Sequence, residues 1–166
     1  MNLAASAEAE KILFAAKQLL AEGKLPEALD TIDELIKVFP DFSKAYIFKA
    51  EIFFEKLSNS VTAEENFKTA IAMSGVPAEG LLNYARLLLN QERYAEALSI
   101  LNRAMEISEV RKDMSYLLYG NLYEMQSKIN DAAGYYKKCL TSTLSNTLLE
   151  EAEAALKRCD IKKKYI

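Results

Sequence analysis

The sequence predicts an all-α protein made of paired antiparallel helices, about nine helices in total. Apolar residues recur at helical spacing along nearly the whole chain, and this pattern itself repeats with a period of 34 or 35 residues. No stretch alternates apolar and polar residues between turns, as a half-buried strand would. The chain of 166 residues is long enough for one domain with a hydrophobic core.

The second helix of each pair carries an apolar face that begins with alanine. In the first pair this face is Ala28, Ile32 and Leu35, at positions i, i+4 and i+7. Equivalent faces follow at offsets of 35, 34 and 35 residues. They are Ala63, Phe67 and Ala70; Ala97, Leu101 and Ala104; and Ala132, Tyr136 and Cys139.

The first helix of each pair repeats with the same period and has a small residue between two large ones. The small residues are Ala16, Ala50, Ala85 and Gly120. Small side chains at these positions allow a neighbouring helix to approach closely. The large flanking residues are Ile12 and Leu19; Tyr46 and Phe53; Leu81 and Leu88; and Tyr116 and Tyr123.

Turn-forming residues separate the helices of the first pair. Gly23 is suited to the position just after a helix, and Pro26 to the first turn of the next one. Pro40 then ends the second helix. The corresponding turn of the second pair, in the segment KLSNSV, has one extra residue.

Capping signals occur further along the chain. Thr62 with Glu65, and Thr147 with Glu150, have the spacing of capping boxes at helix N-termini. Gly134 runs against the helical pattern, because glycine inside a helix costs about 1 kcal/mol relative to alanine. It predicts either close packing or a weak point in the fourth pair.

A single terminal helix is predicted at 147–164. Its apolar residues form one narrow stripe, and a terminal repeat needs such a one-sided helix to cover its packing face. The stripe is Leu148, Ala152, Ala155 and Cys159. The polar outer face is formed by Glu150, Glu151, Glu153, Lys157 and Arg158. The positive charges of Lys162 to Lys164 are expected to stabilise the C-terminus of this helix.

Together these positions resemble the tetratricopeptide repeat, with large, small and large residues on helix A and alanine at both ends of the helix B face. The resemblance implies a right-handed α-solenoid of antiparallel helix pairs, forming one domain over 1–166. The repeats fall at about 9–42, 43–77, 78–111 and 113–145, followed by the capping helix. They are degenerate, since the helix A glycine of the family is alanine in three of the four copies.

The resemblance also implies where function lies, because the A helices of such stacks line a concave groove. The apolar residues expected there are Leu13, Phe14, Ile47, Phe48, Phe54, Leu82, Leu89, Leu117 and Leu118. The polar ones are Lys17, Glu51, Asn83, Arg86 and Asn121. We expect a partner protein to place an amphipathic helix or an apolar extended segment in this groove.

Phe14 and Phe48 are the strongest candidates in the groove, because their equivalent in repeat three is the polar Asn83. In the alternative interpretation, these apolar residues pack inside their own repeats instead. The groove does not predict a chaperone-type carboxylate clamp, which needs lysine, asparagine and arginine at set helix A positions. Only Asn83 matches that set, so a clamp-type co-chaperone is not expected.

Composition argues against other classes of function. The chain has no histidine, no glycine-rich phosphate loop and no metal-ligand spacing, so we expect neither an enzyme nor a cofactor or metal site. Cys139 and Cys159 lie at apolar helix positions and are expected to be small buried residues. A net charge of −3 argues against nucleic acid, which leaves an RNA-binding helical repeat as a remote alternative.

The N-terminus lacks the features of a signal peptide, and no apolar run is long enough to span a membrane. We therefore expect a cytoplasmic or nuclear protein without membrane insertion. A second alternative is self-assembly, in which the groove accepts the segment 2–9 or the capping helix of another copy. A monomer that persists at all concentrations would remove that alternative.

Overall fold

The computed structural model describes residues 3–165, with the side chains of 4–165, and this part of the chain is all-α as predicted. Nine α-helices follow one another, and no strand occurs among the described residues. They are α1 (Leu3–Ala21), α2 (Leu25–Val38), α3 (Ser43–Glu55), α4 (Ser60–Ile71), α5 (Ala78–Asn90), α6 (Tyr94–Met105), α7 (Lys112–Met125), α8 (Ile129–Ser142) and α9 (Asn146–Lys162). A 3-10 turn, Lys163–Tyr165, follows α9.

The helices belong to two compact units, Met1–Gly80 and Leu81–Ile166. In the first unit α1 packs against α2, and α3 against α4. In the second unit α7 packs against α8, and the terminal helix α9 packs on both of them. The helix α5 begins at the end of the first unit and continues into the second.

In the first unit, the predicted apolar faces form the core. Ala28, Ile32 and Leu35 of α2 are fully buried. They meet residues of α1 and α3, whose small central residues Ala16 and Ala50 are also fully buried. The predicted assignment of these residues to packing is therefore confirmed.

In the second unit, the core depends on close contact between α7 and α8. Tyr136 of α8 is fully buried, and its ring lies directly over Gly120 of α7. A Cβ atom at Gly120 would lie only 2.3 Å from the Cε1 atom of that ring. The close approach predicted at the small helix A position is therefore confirmed, and at this position only glycine fits.

A tyrosine stack adds to the contact between α7 and α8. The ring of Tyr135 on α8 stacks on Tyr119 and Tyr123 of α7, with centroid distances of 5.0 and 5.4 Å. The Tyr119 hydroxyl also donates a hydrogen bond to Asn102 on α6 at 2.6 Å. Burial raises the pKa of Tyr119 to about 12, so this hydroxyl remains a donor throughout the neutral range.

The turn that follows each A helix contains one residue in the left-handed region. These residues are Gly23 (φ 78°), Ser58 (φ 51°), Glu92 (φ 58°) and Ser127 (φ 60°). In the first repeat the Lys24 N–H then bonds back to the Leu19 carbonyl, five residues earlier. In the second repeat the equivalent bond, from Asn59 to Phe53, spans six residues, which confirms the extra residue predicted in that turn.

The capping boxes predicted at Thr62 and Thr147 are wrong, because both threonines lie inside the first turn of their helices. The side chain of Asn59 caps α4 by accepting a hydrogen bond from the Thr62 N–H at 3.1 Å. Ser145 caps α9 and accepts from the Leu148 N–H at 3.4 Å. In each case a good capping residue lies two or three positions upstream of the threonine and begins the helix earlier.

The structure decides between the two readings of Gly134. A Cβ atom there would meet no atom within 4 Å, so Gly134 is not a close-packing position but a weak point in α8. We predict that Gly134→Ala raises the free energy of unfolding by about 1 kcal/mol. Gly120→Ala, the same change on α7, should lower it, because the new methyl group would collide with the ring of Tyr136. Urea unfolding of both variants checks the pair, and destabilisation by Gly134→Ala would contradict this account.

Candidate functional site

An open cleft of about 290 Å³ lies in the first unit, along α1, α3 and the start of α5. Five of its lining residues are ones the sequence predicted for the groove: Leu13, Lys17, Ile47, Phe48 and Glu51. The others are Glu10, Lys44, Pro77, Glu79 and Gly80. Within this unit, the predicted positions on α1 and α3 therefore face a common depression.

Burial divides the predicted apolar residues of this unit. Leu13 and Ile47 are buried and form the floor of the cleft. The side chain of Phe48 is only 7% exposed and belongs to the core cluster of the unit, whereas Phe14, at the equivalent position one repeat earlier, is 61% exposed. Phe54 is half-buried. Of the two phenylalanines favoured by the sequence, Phe14 presents its ring to solvent and Phe48 serves mainly as packing.

Charged groups surround the apolar floor of this first cleft. Lys17 Nζ lies 5.5 Å from the centroid of the Phe48 ring, within the range of a cation–π contact. Lys44 forms an ion pair with Glu10 across the space between α3 and α1. With Glu51 and Glu79 also in the lining, the described lining residues carry two positive and three negative charges.

The second unit has a cleft of its own, of about 280 Å³. It is lined by the C-terminal half of α5, by α7 and by the C-terminal half of α9. Its lining residues from the predicted groove are Arg86, Leu89, Leu118 and Asn121. The others are Asn90, Glu124, Met125, Arg158 and Lys162.

The carboxylate of Glu124 is the electrostatic centre of this second cleft. Its side chain is only 8% exposed and accepts hydrogen bonds from three residues. The Tyr136 hydroxyl donates to Oε2 at 2.7 Å, and Lys162 Nζ donates to Oε1 at 2.8 Å. Arg158 donates through Nη2 to Oε2 at 3.1 Å and through Nε to Oε1 at 3.3 Å. This network ties the terminal helix α9 to α7.

The network changes the acidity of Glu124. Burial alone would raise its pKa, but the hydrogen bonds from Arg158, Lys162 and Tyr136 outweigh that effect. The pKa of Glu124 falls from 4.5 to about 2, so the group is ionised at any physiological pH. Burial and the hydrogen bond to Glu124 raise the pKa of Tyr136, which therefore stays protonated.

Sequence reasoning missed the roles of Arg158 and Lys162. The helical pattern predicted Arg158 on the polar outer face of the terminal helix and Lys162 only as a favourable charge at its end. In the structure both side chains reach the carboxylate of Glu124 on another helix. Their spacing of i, i+4 places them on one side of α9, but the local pattern does not reveal that an acid lies opposite.

Five predicted groove residues line neither cleft: Phe14, Phe54, Leu82, Asn83 and Leu117. Leu82 and Leu117 are buried, and Leu117 belongs to the core cluster of the second unit. Asn83 is half-buried. Both leucines therefore pack within the fold, as the alternative interpretation of the apolar helix A residues predicted.

The described residues contain no group of three Cys, Asp or Glu side chains placed to hold a metal ion. Cys139 and Cys159 are buried free thiols, as the sequence predicted. Burial raises the pKa of the Cys139 thiol to about 11, which keeps it protonated and unreactive. None of the described helices has the length and hydrophobicity needed to cross a bilayer.

The fold and its clefts define the chain as a helix-pair repeat protein whose A helices line open clefts. Residues 56–109 match the tetratricopeptide repeat family. No curated protein matches the chain in sequence. The family match covers about a third of the chain, and the solved structures described next share the fold of nearly the whole chain.

Three solved structures resemble this chain in fold. PilF of Pseudomonas aeruginosa is 19% identical, with 98% of this chain and 72% of PilF covered and a TM-score of 0.80. PilW, a type IV pilus biogenesis factor, is 18% identical over 99% of this chain and 80% of PilW, with a TM-score of 0.78. Yeast Tom70 is 18% identical over 94% of this chain and 34% of Tom70, with a TM-score of 0.79. These likenesses confirm an all-α, tetratricopeptide-type solenoid fold.

The Glu124 network predicts a specific dependence of stability on pH. Because the pKa of Glu124 is lower in the folded chain than in the unfolded one, its contribution is complete above pH 4.5 and is lost as the pH falls from 4.5 to about 2. We predict that Glu124→Gln lowers the free energy of unfolding by about 3 kcal/mol at pH 7. The difference from the unmodified chain should shrink as the pH approaches 2.

Urea unfolding at a series of pH values measures this difference. Glu153→Gln, which removes an exposed carboxylate from the terminal helix, serves as the control and should have little effect at any pH. An equal, pH-independent loss in both variants would contradict the role assigned to Glu124.

Proposed function

We propose that the chain is an adaptor that binds a segment of another protein on the exposed side of its A helices. The observation that carries this proposal is the placement of nine of the fourteen predicted groove residues in the linings of two open clefts. Tetratricopeptide repeats serve in general as protein-interaction modules, which supports the same role here.

The first cleft favours an apolar occupant. Leu13, Ile47 and Phe48 supply a packed floor. Phe14 is not in the lining, but it is exposed and lies one helical turn from the lining residues Glu10 and Lys17 on α1. An exposed aromatic ring beside a preformed apolar floor is typical of the few residues that contribute most binding energy at an interface. We propose that the occupant is an amphipathic helix or an apolar extended segment.

Other roles are less well supported. The repeat family is typically non-catalytic, and the clefts contain no nucleophile paired with a base among their described lining residues. An RNA-binding role, and a cytoplasmic or nuclear location, stay predictions without support from the fold.

Self-assembly through the segment 2–9 would require rearrangement of the fold. Residues 3–9 are the first turns of α1, and Ala9 is fully buried in the core of its unit. Asn2 lies outside the described residues. The apolar stripe of the terminal helix is likewise buried in its own unit. Exchange of either segment between copies would first have to break these contacts.

The proposal predicts a large effect of one exposed side chain. Phe14→Ala should reduce partner binding at least tenfold, since truncating a hot-spot side chain costs 2 kcal/mol or more. Helicity and stability should remain unchanged, because the ring is mostly exposed. The measurement is affinity capture with the tagged chain, followed by titration of the captured protein against each variant.

Val38→Ala is the matched control, because Val38 is 62% exposed and lies on a B helix. Equal binding by the Phe14→Ala chain and the unmodified chain would overturn the assignment of the site. Phe48→Ala is unsuitable as a test, because the cavity it leaves in the core would cost about 3–5 kcal/mol of stability.

A further inference from the structure

In the lining of the second cleft, the positively charged side chains outnumber the negatively charged ones. Arg158 and Lys162 both pair with the single carboxylate of Glu124. Among the described lining residues Glu124 is the one acidic group, so two cations share one anion. This excess does not depend on Arg86, which also lines the cleft and has interactions of its own.

The two cations remain accessible to a ligand. The side chain of Arg158 is 53% exposed and that of Lys162 is 47% exposed, whereas the carboxylate between them is almost fully buried. Both oxygens of Glu124 already accept hydrogen bonds, from Tyr136 as well as from the cations. An incoming anion would therefore meet the outer sides of the two cations, with the acidic group shielded beneath them.

The rest of the lining suits a short polar and apolar segment. The side-chain amide of Asn121 lies 2.8 Å from the Tyr136 oxygen, whose single proton is donated to Glu124, so the amide is held beside the network. Leu89, Leu118 and the partly exposed Met125 provide apolar surface in the same cleft. An anion-binding edge thus lies beside an apolar floor.

We propose that this cleft binds a partner segment in which an aspartate or glutamate side chain adjoins a large apolar side chain. The carboxylate would pair with Arg158 and Lys162, and the apolar side chain would lie on Leu118 and Met125. This inference rests on the proposed function of the chain as a protein-binding adaptor. It adds the kind of partner segment that the second cleft would bind.

Charge complementarity supports this choice of occupant. The chain as a whole carries a net charge of −3, and the lining of the first cleft has an excess of negative charge. The second cleft has the opposite sign, so an acidic segment is attracted there and disfavoured in the first cleft. The cations come from the terminal helix rather than from the repeat positions that form the chaperone-type clamp.

The test is an NMR titration of the ¹⁵N-labelled full chain with a defined peptide, acetyl-Gly-Glu-Leu-Glu-Leu-Gly-amide. We expect saturable shifts confined to the amides around Asn90, Asn121–Met125 and Arg158–Lys162. The affinity should fall as salt is added, because the pairing groups are partly exposed. A peptide with glutamine in place of both glutamates should cause little change, and equal binding of the two peptides would overturn the proposal.

A third peptide separates the two sources of a carboxylate. It contains glutamine in place of glutamate but ends in a free C-terminal carboxylate. The proposal expects this peptide to bind no better than its amidated form. Tighter binding of the free C-terminus than of the glutamate peptide would overturn the assignment to acidic side chains.

Two variants test the cleft without removing the whole network. Lys162→Gln should weaken binding of the glutamate peptide about fivefold, while Glu124 keeps Arg158 and Tyr136. Asn90→Asp leaves the network untouched, places a negative charge in the lining and should weaken binding by a similar factor. Lys157→Gln, a charge removal on the same helix outside the lining, is the control and should have little effect.

An equal loss of affinity in the control and in Lys162→Gln would show a non-specific charge effect and overturn the proposal. Failure of the glutamate peptide to shift the cleft amides would do the same. Neither result bears on Phe14, which lies in the other unit, so the proposed adaptor function is tested separately.

Discussion

The close packing of an A helix on its B helix, seen for α1 on α2, α3 on α4 and α7 on α8, is the constraint on which the rest of the structure depends. Its clearest instance is the ring of Tyr136 over Gly120, where a single added carbon atom would have no room. Because the small central residues of the A helices turn inward, the residues on the opposite side of those helices remain available to line clefts. The same contact that stabilises a helix pair therefore determines which side chains line the clefts.

The terminal helix contributes both to the core and to the candidate site of the second unit. Its apolar stripe, Leu148, Ala152, Ala155 and Cys159, covers the core beside α8. Its two cations satisfy the buried Glu124 and also line the neighbouring cleft. A carboxylate this deeply buried is tolerated only because it is paired and fully hydrogen-bonded. The helix that closes the core thus also sets the charge of the candidate site.

Much of the fold could be predicted from the sequence, because the small and large residues recur at one period in two independent faces. The exposure of individual groove residues could not be predicted in this way. Phe14 and Phe48 occupy equivalent positions, yet only Phe48 joins a core cluster. The pairing of Arg158 with Glu124 could not be predicted either, since it joins residues 34 positions apart on different helices. Local periodicity gives the inward face of a helix but not what lies opposite its other faces.

The central claim is that the A helices bind the partner while the B helices form the packing surface. The most direct test introduces a photo-reactive residue at one exposed position at a time, on A helices at Phe14 and Lys44 and on B helices at Val38 and Val61. The cross-linked products are then identified by mass spectrometry. Our account predicts adducts to one partner segment from the A-helix positions and few from the B-helix positions. Equal or greater yields from the B helices would contradict it.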